Sequence, residues 1–393
     1  MQYRENPKNH QQLSALGYGC MRLTKKGAAI DQEKANRELA LALEKGVNYF
    51  DTAYIYPGSE VCLGNFIKQY NCRDRLNIAT KLPQYLVRKT ADFDRYFNEE
   101  LQRLQTDHID YYLMHMLNDA KSWSRLCELG VREWIDSKKK SGAIRNIGFS
   151  FHGGTTQFRE LLDAYDWEFC QIQFNYMDEH SQAGIQGLRY AHAKGLPVII
   201  MEPLRGGKLV NGLSAKAKRE FEQMEPKRSP ADWGLRWIWN HPEVTVVLSG
   251  MNDVSQVEEN CRIASESLPD ALSADELKLY DRVLEAIHHS MKVGCTGCGY
   301  CQPCPKGVNI PTCFAAYNAS YADGYINALR EYMMCTTLRK VRSNAGLCVK
   351  CGKCEQHCPQ HLHIRDELDN VKKRMETPIY KIAAAVAPKI MKY

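Results

Sequence analysis

The chain has 393 residues, of which 44% are hydrophobic and 25% charged, and its formal net charge is +6. This length exceeds one small domain and suits a barrel of ordinary size with an additional module. No run approaches the roughly 18 apolar residues that span a membrane, and the polar N-terminus lacks the apolar segment of a secretory signal. We therefore expect a cytoplasmic protein that has neither a membrane nor a nucleic acid as partner.

Short apolar runs alternate with segments of helical periodicity from residue 13 onwards. The runs are 15–19, 47–51, 77–80, 109–114, 144–149, 169–173, 197–201 and 244–248. The clearest helical segments are 33–44, 92–105, 123–140, 155–164 and 182–194. Eight buried strands that alternate with helices predict an α/β fold, the closed (β/α)8 TIM barrel. An open doubly wound sheet is the alternative, which the lack of a GxGxxG motif after the first strand disfavours.

The composition changes near residue 288. Residues 1–285 hold 37 Lys and Arg against 39 Asp and Glu, a net charge of −2, whereas residues 286–393 hold 15 against 7, a net charge of +8. Ten of the sixteen cysteines lie between positions 295 and 358. We predict a barrel over residues 1–288 and a smaller, mainly helical module over residues 289–393. The stretch 378–393 indicates a short apolar helix packed against the barrel, with a partner contact as the alternative.

Two cysteine runs dominate the second module. The first is Cys295, Cys298, Cys301 and Cys304, and the second is Cys348, Cys351, Cys354 and Cys358; proline follows the last cysteine of each. In a cytosolic protein such a dense group indicates metal binding rather than disulfides. Three cysteines at a spacing of two residues can surround one face of a cubane, and a more distant fourth completes the ligand set. The runs therefore predict two 4Fe–4S clusters in a ferredoxin-like domain.

The assignment of ligands follows from two-cluster ferredoxins, in which the fourth cysteine of each run belongs to the other cluster. One cluster would then be held by Cys295, Cys298, Cys301 and Cys358, and the other by Cys348, Cys351, Cys354 and Cys304. The first run has one residue fewer before its fourth cysteine than the bacterial pattern, so this crossed pairing stays open there. Zinc is the alternative, but zinc sites do not need a third cysteine at the same spacing. Cys313 and Cys335 have no predicted role.

Four residues of acid–base type follow successive predicted strands. Asp51 and Tyr56 follow the second run, Lys81 the third and His115 the fourth, at the rim where active sites of this fold lie. A ketone that accepts a hydride develops negative charge on its oxygen and needs a proton. Tyr56 can supply that proton if Lys81 lowers its pKa, while Asp51 holds the lysine and neutral His115 donates a hydrogen bond to the carbonyl. Each residue alone would have an ordinary structural role, but all four together favour catalysis.

The segments that contain these residues resemble the aldo-keto reductase family. The similarity covers residues 17–260 and rests on the segments 51–56, 79–81, 110–115, 148–150, 171–173 and 259–260. It implies Tyr56 as proton donor, and it implies a carbonyl or alcohol as substrate. It also implies a nicotinamide site at Gly19, Cys20, Met21, Ser150, Gln171, Met201, Pro203, Leu204, Gly206, Lys208, Gly250, Gln256, Glu259 and Asn260. Ser150 and Gln171 would contact the nicotinamide amide, and Glu259 and Asn260 the adenine. The whole layout resembles a subgroup of these reductases with an appended ferredoxin-type domain.

Three features depart from the family pattern. Met201 stands where an aromatic residue commonly stacks on nicotinamide, and Phe151 and His152 follow Ser150 where an asparagine is common. The basic residues that clamp the 2′-phosphate of NADPH are replaced by Gly250, Met251 and Gln256. A preference for NADPH is therefore not predicted, and NADH or a flavin stay open. Arg205 and Lys208 are candidates for the pyrophosphate.

The predicted cofactors differ in how they transfer electrons. Nicotinamide transfers two electrons together, whereas a 4Fe–4S cluster transfers one at a time. Three arrangements therefore stay open. The clusters are structural, or a flavin links them to the barrel, or they reduce the substrate directly. Our leading hypothesis is an oxidoreductase that reduces a carbonyl or oxidises an alcohol at Tyr56. The alternatives are a redox sensor that binds nicotinamide without turnover, and an electron-transfer protein whose +8 module binds an acidic carrier such as ferredoxin or flavodoxin.

Overall fold

The computed structural model describes residues 1–288, 291–295, 297, 299, 301–322, 324–339, 341–358 and 361–390. Eight parallel strands close into a barrel, in which each strand pairs with the next and the eighth pairs with the first. In chain order they are Leu16–Gly19, Tyr49–Asp51, Asn77–Leu82, Ile109–Met114, Ile144–Phe151, Phe169–Gln173, Val198–Met201 and Val244–Ser249. The predicted TIM barrel is confirmed, and the open-sheet alternative is wrong because the first and last strands are hydrogen bonded.

Helices cover the outside of the barrel. They are Gln32–Glu44, Ser59–Tyr70, Ala91–Leu104, Ala120–Glu128, Val131–Lys140, Thr155–Asp163, Gly184–Ala193, Lys208–Asn211, Ala215–Gln223, Pro230–Trp239, Val254–Glu266 and Ala274–His288. The single helix predicted over 123–140 is wrong. Gly130, at φ 83°, separates two helices there, because a left-handed residue ends a helix.

The amino end of the barrel is closed by a hairpin of the strands Tyr3–Glu5 and Gln12–Ser14. A second, short hairpin joins Lys25–Lys26 to Ala29–Ile30. Large side chains from the strands, such as Tyr49, Tyr111 and Phe169, fill the barrel interior. The carboxyl end of the barrel is therefore the end that is left for a site.

The second module is mainly helical, as predicted. Its helices are Ile310–Ala322, Tyr325–Tyr332, Lys353–Gln356, Ile364–Met375 and Pro378–Ile390, with a π-helical turn at Met333–Thr337. It has a hydrophobic core of its own, to which Tyr380 and Ala384 of the last helix contribute. The expectation that this last helix packs against the barrel is therefore wrong: it packs on its own module, where the hydroxyls of Tyr380 and Thr337 lie 2.7 Å apart.

The second module lies over the carboxyl end of the barrel. Gly297 packs so closely on the loop after the sixth strand that an added Cβ would lie 3.3 Å from the Ser181 Oγ. Arg339 Nη2 donates to the carbonyl of His152, just after the fifth strand, at 3.5 Å. Both contacts are at the rim where the predicted acid–base residues lie. Within the described part of the chain, no helix has the length and apolar character needed to cross a membrane.

Candidate active site

A buried ion pair forms the base of the site. The Lys81 ammonium donates to both oxygens of Asp51, at 2.6 and 2.7 Å, and to the carbonyl of Thr52 at 2.6 Å. Lys81 and Asp51 are only 1% and 4% exposed, so each charge needs the other, since an unpaired charge at this depth would cost several kcal/mol. The strands Tyr49–Asp51 and Asn77–Leu82 are neighbours in the sheet, which brings the two side chains together.

Tyr56 lies above this pair, with the Lys81 Nζ 5.2 Å from the centroid of its ring. The expectation that Lys81 lowers the pKa of Tyr56 is wrong. Burial, followed by the negative charge of Asp51, raises that pKa far above its ordinary value, because the lysine charge is already neutralised by Asp51. At neutral pH the phenol is therefore protonated, which is the form that donates a proton.

His115 completes the group of four residues. Its ring stands edge-on to Tyr56, with ring centroids 6.0 Å apart. Burial, followed by the positive charge of Lys81, lowers the pKa of His115 well below its ordinary value, so the imidazole is neutral. Its Nδ1 is buried and has no hydrogen-bond partner among the described residues. The ring can therefore serve as a neutral hydrogen-bond donor to a substrate oxygen.

The residues predicted for the nicotinamide amide lie beside this group. Ser150 and Gln171 are paired across the fifth and sixth strands, and Met201 ends the seventh. The side-chain amide of Gln171 donates a hydrogen bond to Asp51. Its buried Oε1, in contrast, has no hydrogen-bond partner in the part of the chain that the structure describes. An unpaired buried acceptor costs about 1–3 kcal/mol. A carboxamide NH2 placed here would satisfy it, so the chemistry of the site fits nicotinamide.

The other predicted cofactor residues line the loops after the first, seventh and eighth strands. Gly19, Cys20 and Met21 form the first loop, Pro203, Leu204, Gly206 and Lys208 the seventh, and Gly250 the eighth, with Gln256, Glu259 and Asn260 on the helix that follows. Burial raises the pKa of Cys20 well above its ordinary value, so this thiol is protonated at neutral pH.

Some of the predicted cofactor residues bind other parts of the protein. Glu259 accepts a hydrogen bond from Ser229 Oγ at 2.6 Å, and Asn260 donates to Ser249 Oγ at 3.0 Å. Arg205, predicted for the pyrophosphate, is instead 3.3 Å from the Asp178 carboxylate. These contacts hold the rim loops together.

Arg22 is a candidate that the sequence did not reveal. It ends the short turn Cys20–Arg22 and reaches across the mouth of the barrel. A Cβ added to Gly206 would lie 2.4 Å from its Nη2, and one added to Gly250 would lie 3.2 Å from its Cδ. The Arg22 side chain thus lies against both glycine loops that would surround a dinucleotide, with its guanidinium at Gly206 and its methylene groups at Gly250. Its positive charge also acts on the carboxyl group of Glu202 and opposes the rise that burial causes in the pKa of this group.

Arg22→Gln should weaken binding of NADH about tenfold, because a charge-assisted hydrogen bond to a phosphate contributes about 1.5–3 kcal/mol. Fluorescence titration of the purified protein with NADH measures this dissociation constant. Arg37→Gln, at an exposed position of the helix Gln32–Glu44, is the matched control and should leave the constant unchanged. Equal constants for Arg22→Gln and the unaltered protein would remove Arg22 from the cofactor site.

A second residue absent from the predicted site comes from the other module. The positive charge of Arg330, on the helix Tyr325–Tyr332, acts on the phenols of Tyr56 and Tyr85 and opposes the rise of their pKa. Burial nevertheless raises the pKa of Tyr85 to about 12, and its ring centroid lies 6.4 Å from that of His115. The second module thus affects the acid strength of the proposed proton donor.

Arg330→Gln should slow carbonyl reduction several-fold. Loss of the positive charge raises the pKa of Tyr56 further, so the phenol becomes a weaker acid and proton transfer limits the rate more strongly. The readout is the solvent deuterium isotope effect on kcat, which should increase. Lys372→Gln, at an exposed position of the same module, should change neither quantity, and an isotope effect that stays constant in Arg330→Gln would contradict the assigned role.

Cysteines of both runs line a cavity of about 180 Å³. Cys304, Cys348, Cys351 and Cys354 line it together with Cys301. The backbone N–H of Lys350 points at the Cys348 Sγ, 3.4 Å away, and such contacts are typical of cluster sulfurs. Cys358 is not among the lining residues of this cavity, whereas Cys301, which the crossed pairing assigns to the other cluster, is. Cys298 lies outside the described residues.

Zinc is the alternative occupant of these cysteines. No group of three or more His, Cys, Asp or Glu side chains among the described residues is arranged to hold a single metal ion. Five described cysteines of the two runs instead line one cavity of about 180 Å³.

Two family models match the chain. The Aldo/keto reductase family model matches residues 15–284, which is the barrel with its rim. A 4Fe-4S dicluster domain model matches residues 294–363, which contain both cysteine runs.

Similar proteins and structures agree with this division. The chain is 26% identical to the uncharacterized oxidoreductase YrpG of Bacillus subtilis over 68% of its own length and 92% of that protein. It is 26% identical to Protein tas of Escherichia coli over 73% of its length and 98% of that protein. The holo form of an aldo-keto reductase from Bacillus halodurans shares the barrel fold, with a TM-score of 0.61 and 24% identity over 73% of this chain and 97% of that one. The chain belongs to the aldo/keto reductase family of oxidoreductases and carries a C-terminal 4Fe–4S dicluster domain.

Proposed function

We propose that the barrel reduces a small carbonyl compound, with NADH or NADPH as hydride donor and Tyr56 as proton donor. The observation that carries this proposal is the buried Asp51–Lys81 pair beneath Tyr56, with neutral His115 edge-on to the phenol. A bound reduced nicotinamide would supply the hydride. Ser150 and Gln171 would hold its amide, His115 would orient the substrate oxygen, and Tyr56 would protonate that oxygen.

The protonation state of Tyr56 suits the proposed reduction. Reduction of a carbonyl needs the phenol, whereas oxidation of an alcohol needs the phenolate as base. Burial raises the pKa of Tyr56, so the phenol is available at neutral pH to protonate the substrate oxygen.

We propose further that the second module, residues 289–393, holds two 4Fe–4S clusters, with the crossed ligands predicted above. Cys304 and the first three cysteines of the second run share one cavity, which Cys301 also lines, and this clustering of thiols supports the binding of a cluster there. The net charge of +8 in residues 286–393 favours an acidic electron carrier, such as ferredoxin or flavodoxin, as partner. The free cysteines of the barrel suit the reducing cytoplasm, which is where we place the protein.

The experiment that tests the barrel's activity is an assay of anaerobically purified protein with NADH and NADPH. Methylglyoxal is the first substrate to try, because the chain is 24% identical to the NADH-specific methylglyoxal reductase of Escherichia coli; other small aldehydes and ketones follow. We expect one nicotinamide oxidised for each alcohol formed. Binding of NADH without turnover of any carbonyl would instead favour the redox-sensor alternative.

A further inference from the structure

The two cysteine runs differ in what they face. The first run faces the barrel: Gly297 packs on Ser181, and Cys295 lines a cavity of about 310 Å³ between the modules together with Asp178 and Arg205. The second run faces solvent, because Cys351 is exposed and the neighbouring Val349 is 57% exposed. A group held by the second run is therefore the one that another protein can approach.

Free positive charges lie at the edge of the second run's cavity. Lys306 and Lys353 line it and are exposed, and neither forms an ion pair with a described residue. Other charges nearby are neutralised locally: Arg365 binds Glu355 at 2.8 Å, and Lys350 binds Asp369. The surface formed by Lys306, Val349, Cys351 and Lys353, here called the Val349 face, thus combines an apolar centre with uncompensated positive charge.

We propose that the Val349 face is the docking surface for a small acidic protein that carries one electron at a time. The inference rests on the proposed cluster at Cys304, Cys348, Cys351 and Cys354. In the productive complex the reduced carrier loses one electron and the group held by these cysteines gains it. Opposite charges at the edge of an interface steer the two proteins towards each other and make their association dependent on salt. The exposed valine supplies the apolar contact at the centre.

The shape and size of this surface suit such a partner. Electron-transfer complexes bury small interfaces, at or below about 1,200 Å², so a few residues around one exposed ligand are enough. Cys351 is itself part of the face, so a docked carrier would lie directly against a cluster ligand. In the first run, Gly297 instead packs against Ser181 of the barrel.

The test uses the full-length holoprotein and an acidic 2Fe–2S ferredoxin as probe. Calorimetry at low and at high salt measures the dissociation constant of the complex with ferredoxin. The test variant combines Lys306→Glu with Lys353→Glu. We expect about tenfold weaker binding at low salt and loss of most of the salt dependence. Lys68→Glu combined with Lys216→Glu changes the net charge equally at exposed positions of the barrel and should leave the constant within about twofold.

Iron and sulfide content accompany each titration. Should the glutamates disturb the cluster, Lys306→Gln with Lys353→Gln removes the charges without reversing them and should weaken binding by a smaller factor. Equal affinity for the Val349-face and barrel variants would overturn the docking proposal, as would binding of the unaltered holoprotein that is insensitive to salt. Failure of the proposed barrel chemistry is separate, because Tyr56→Phe should bind ferredoxin normally whether or not carbonyls are reduced.

Discussion

Tyr56→Phe is expected to lower kcat for carbonyl reduction by about a thousandfold, the range found when a general acid is removed. The substitution deletes only the hydroxyl that would protonate the substrate oxygen. The ring remains beside Lys81 and His115, so the nicotinamide site should be intact. Steady-state kinetics and an NADH titration should show the loss in kcat with a dissociation constant unchanged within about twofold.

Tyr54→Phe is the matched control for this prediction. Its hydroxyl binds the Glu99 carboxylate at 2.8 Å and has no place in the proposed chemistry, so kcat should stay within about twofold. If Tyr56→Phe kept most of its activity, another group would have to donate the proton, and the acid–base role of Tyr56 would be lost.

Cys304→Ser should remove about four of the roughly eight irons expected for two clusters in each chain. A serine hydroxyl is a poor substitute for the thiolate, and the other three ligands of that cavity cannot complete the cubane. Binding of a metal group by a module of this kind is coupled to its folding, so the melting temperature of the second module should fall as well. Iron and sulfide analysis with electron paramagnetic resonance of the reduced protein measures the loss.

Cys313→Ser provides the control in the same module. Its Sγ is buried and donates to the Ser343 carbonyl at 3.8 Å, a contact that a hydroxyl can replace, so the iron content should not change. Cys358→Ser distinguishes the ligand sets, because the crossed pairing assigns Cys304 and Cys358 to different clusters. The two variants should then lose different clusters and keep different resonance signals. The same signal lost in Cys304→Ser and Cys358→Ser would contradict the crossed pairing.

The sequence predicted the barrel and the four central residues for one physical reason. Parallel strands all end at the same rim, so Asp51, Lys81 and His115, each near the end of its run, had to converge there. The break at Gly130 was missed because apolar periodicity continues across it, and only the left-handed φ of 83° separates the helices.

Other features depend on contacts between distant parts of the chain. The raised pKa of Tyr56 results from burial, followed by the negative charge of Asp51, which no local pattern reports. Arg330 acts on that phenol from the second module, and Arg22 reaches two loops far along the chain. Neither arginine stands in a motif, so sequence alone gave no signal for them.

The central claim is that hydride passes from nicotinamide to a carbonyl carbon in the barrel. The most direct test supplies NADH deuterated at the transferable position, with methylglyoxal as acceptor, and examines the alcohol by mass spectrometry. The proposed function predicts one deuterium on the new carbinol carbon in each product molecule, and about a thousandfold less alcohol when Tyr56→Phe replaces the unaltered protein at equal reaction time. Alcohol without deuterium, formed only when a reduced ferredoxin is present, would show that electrons reach the substrate through the clusters and would contradict the claim.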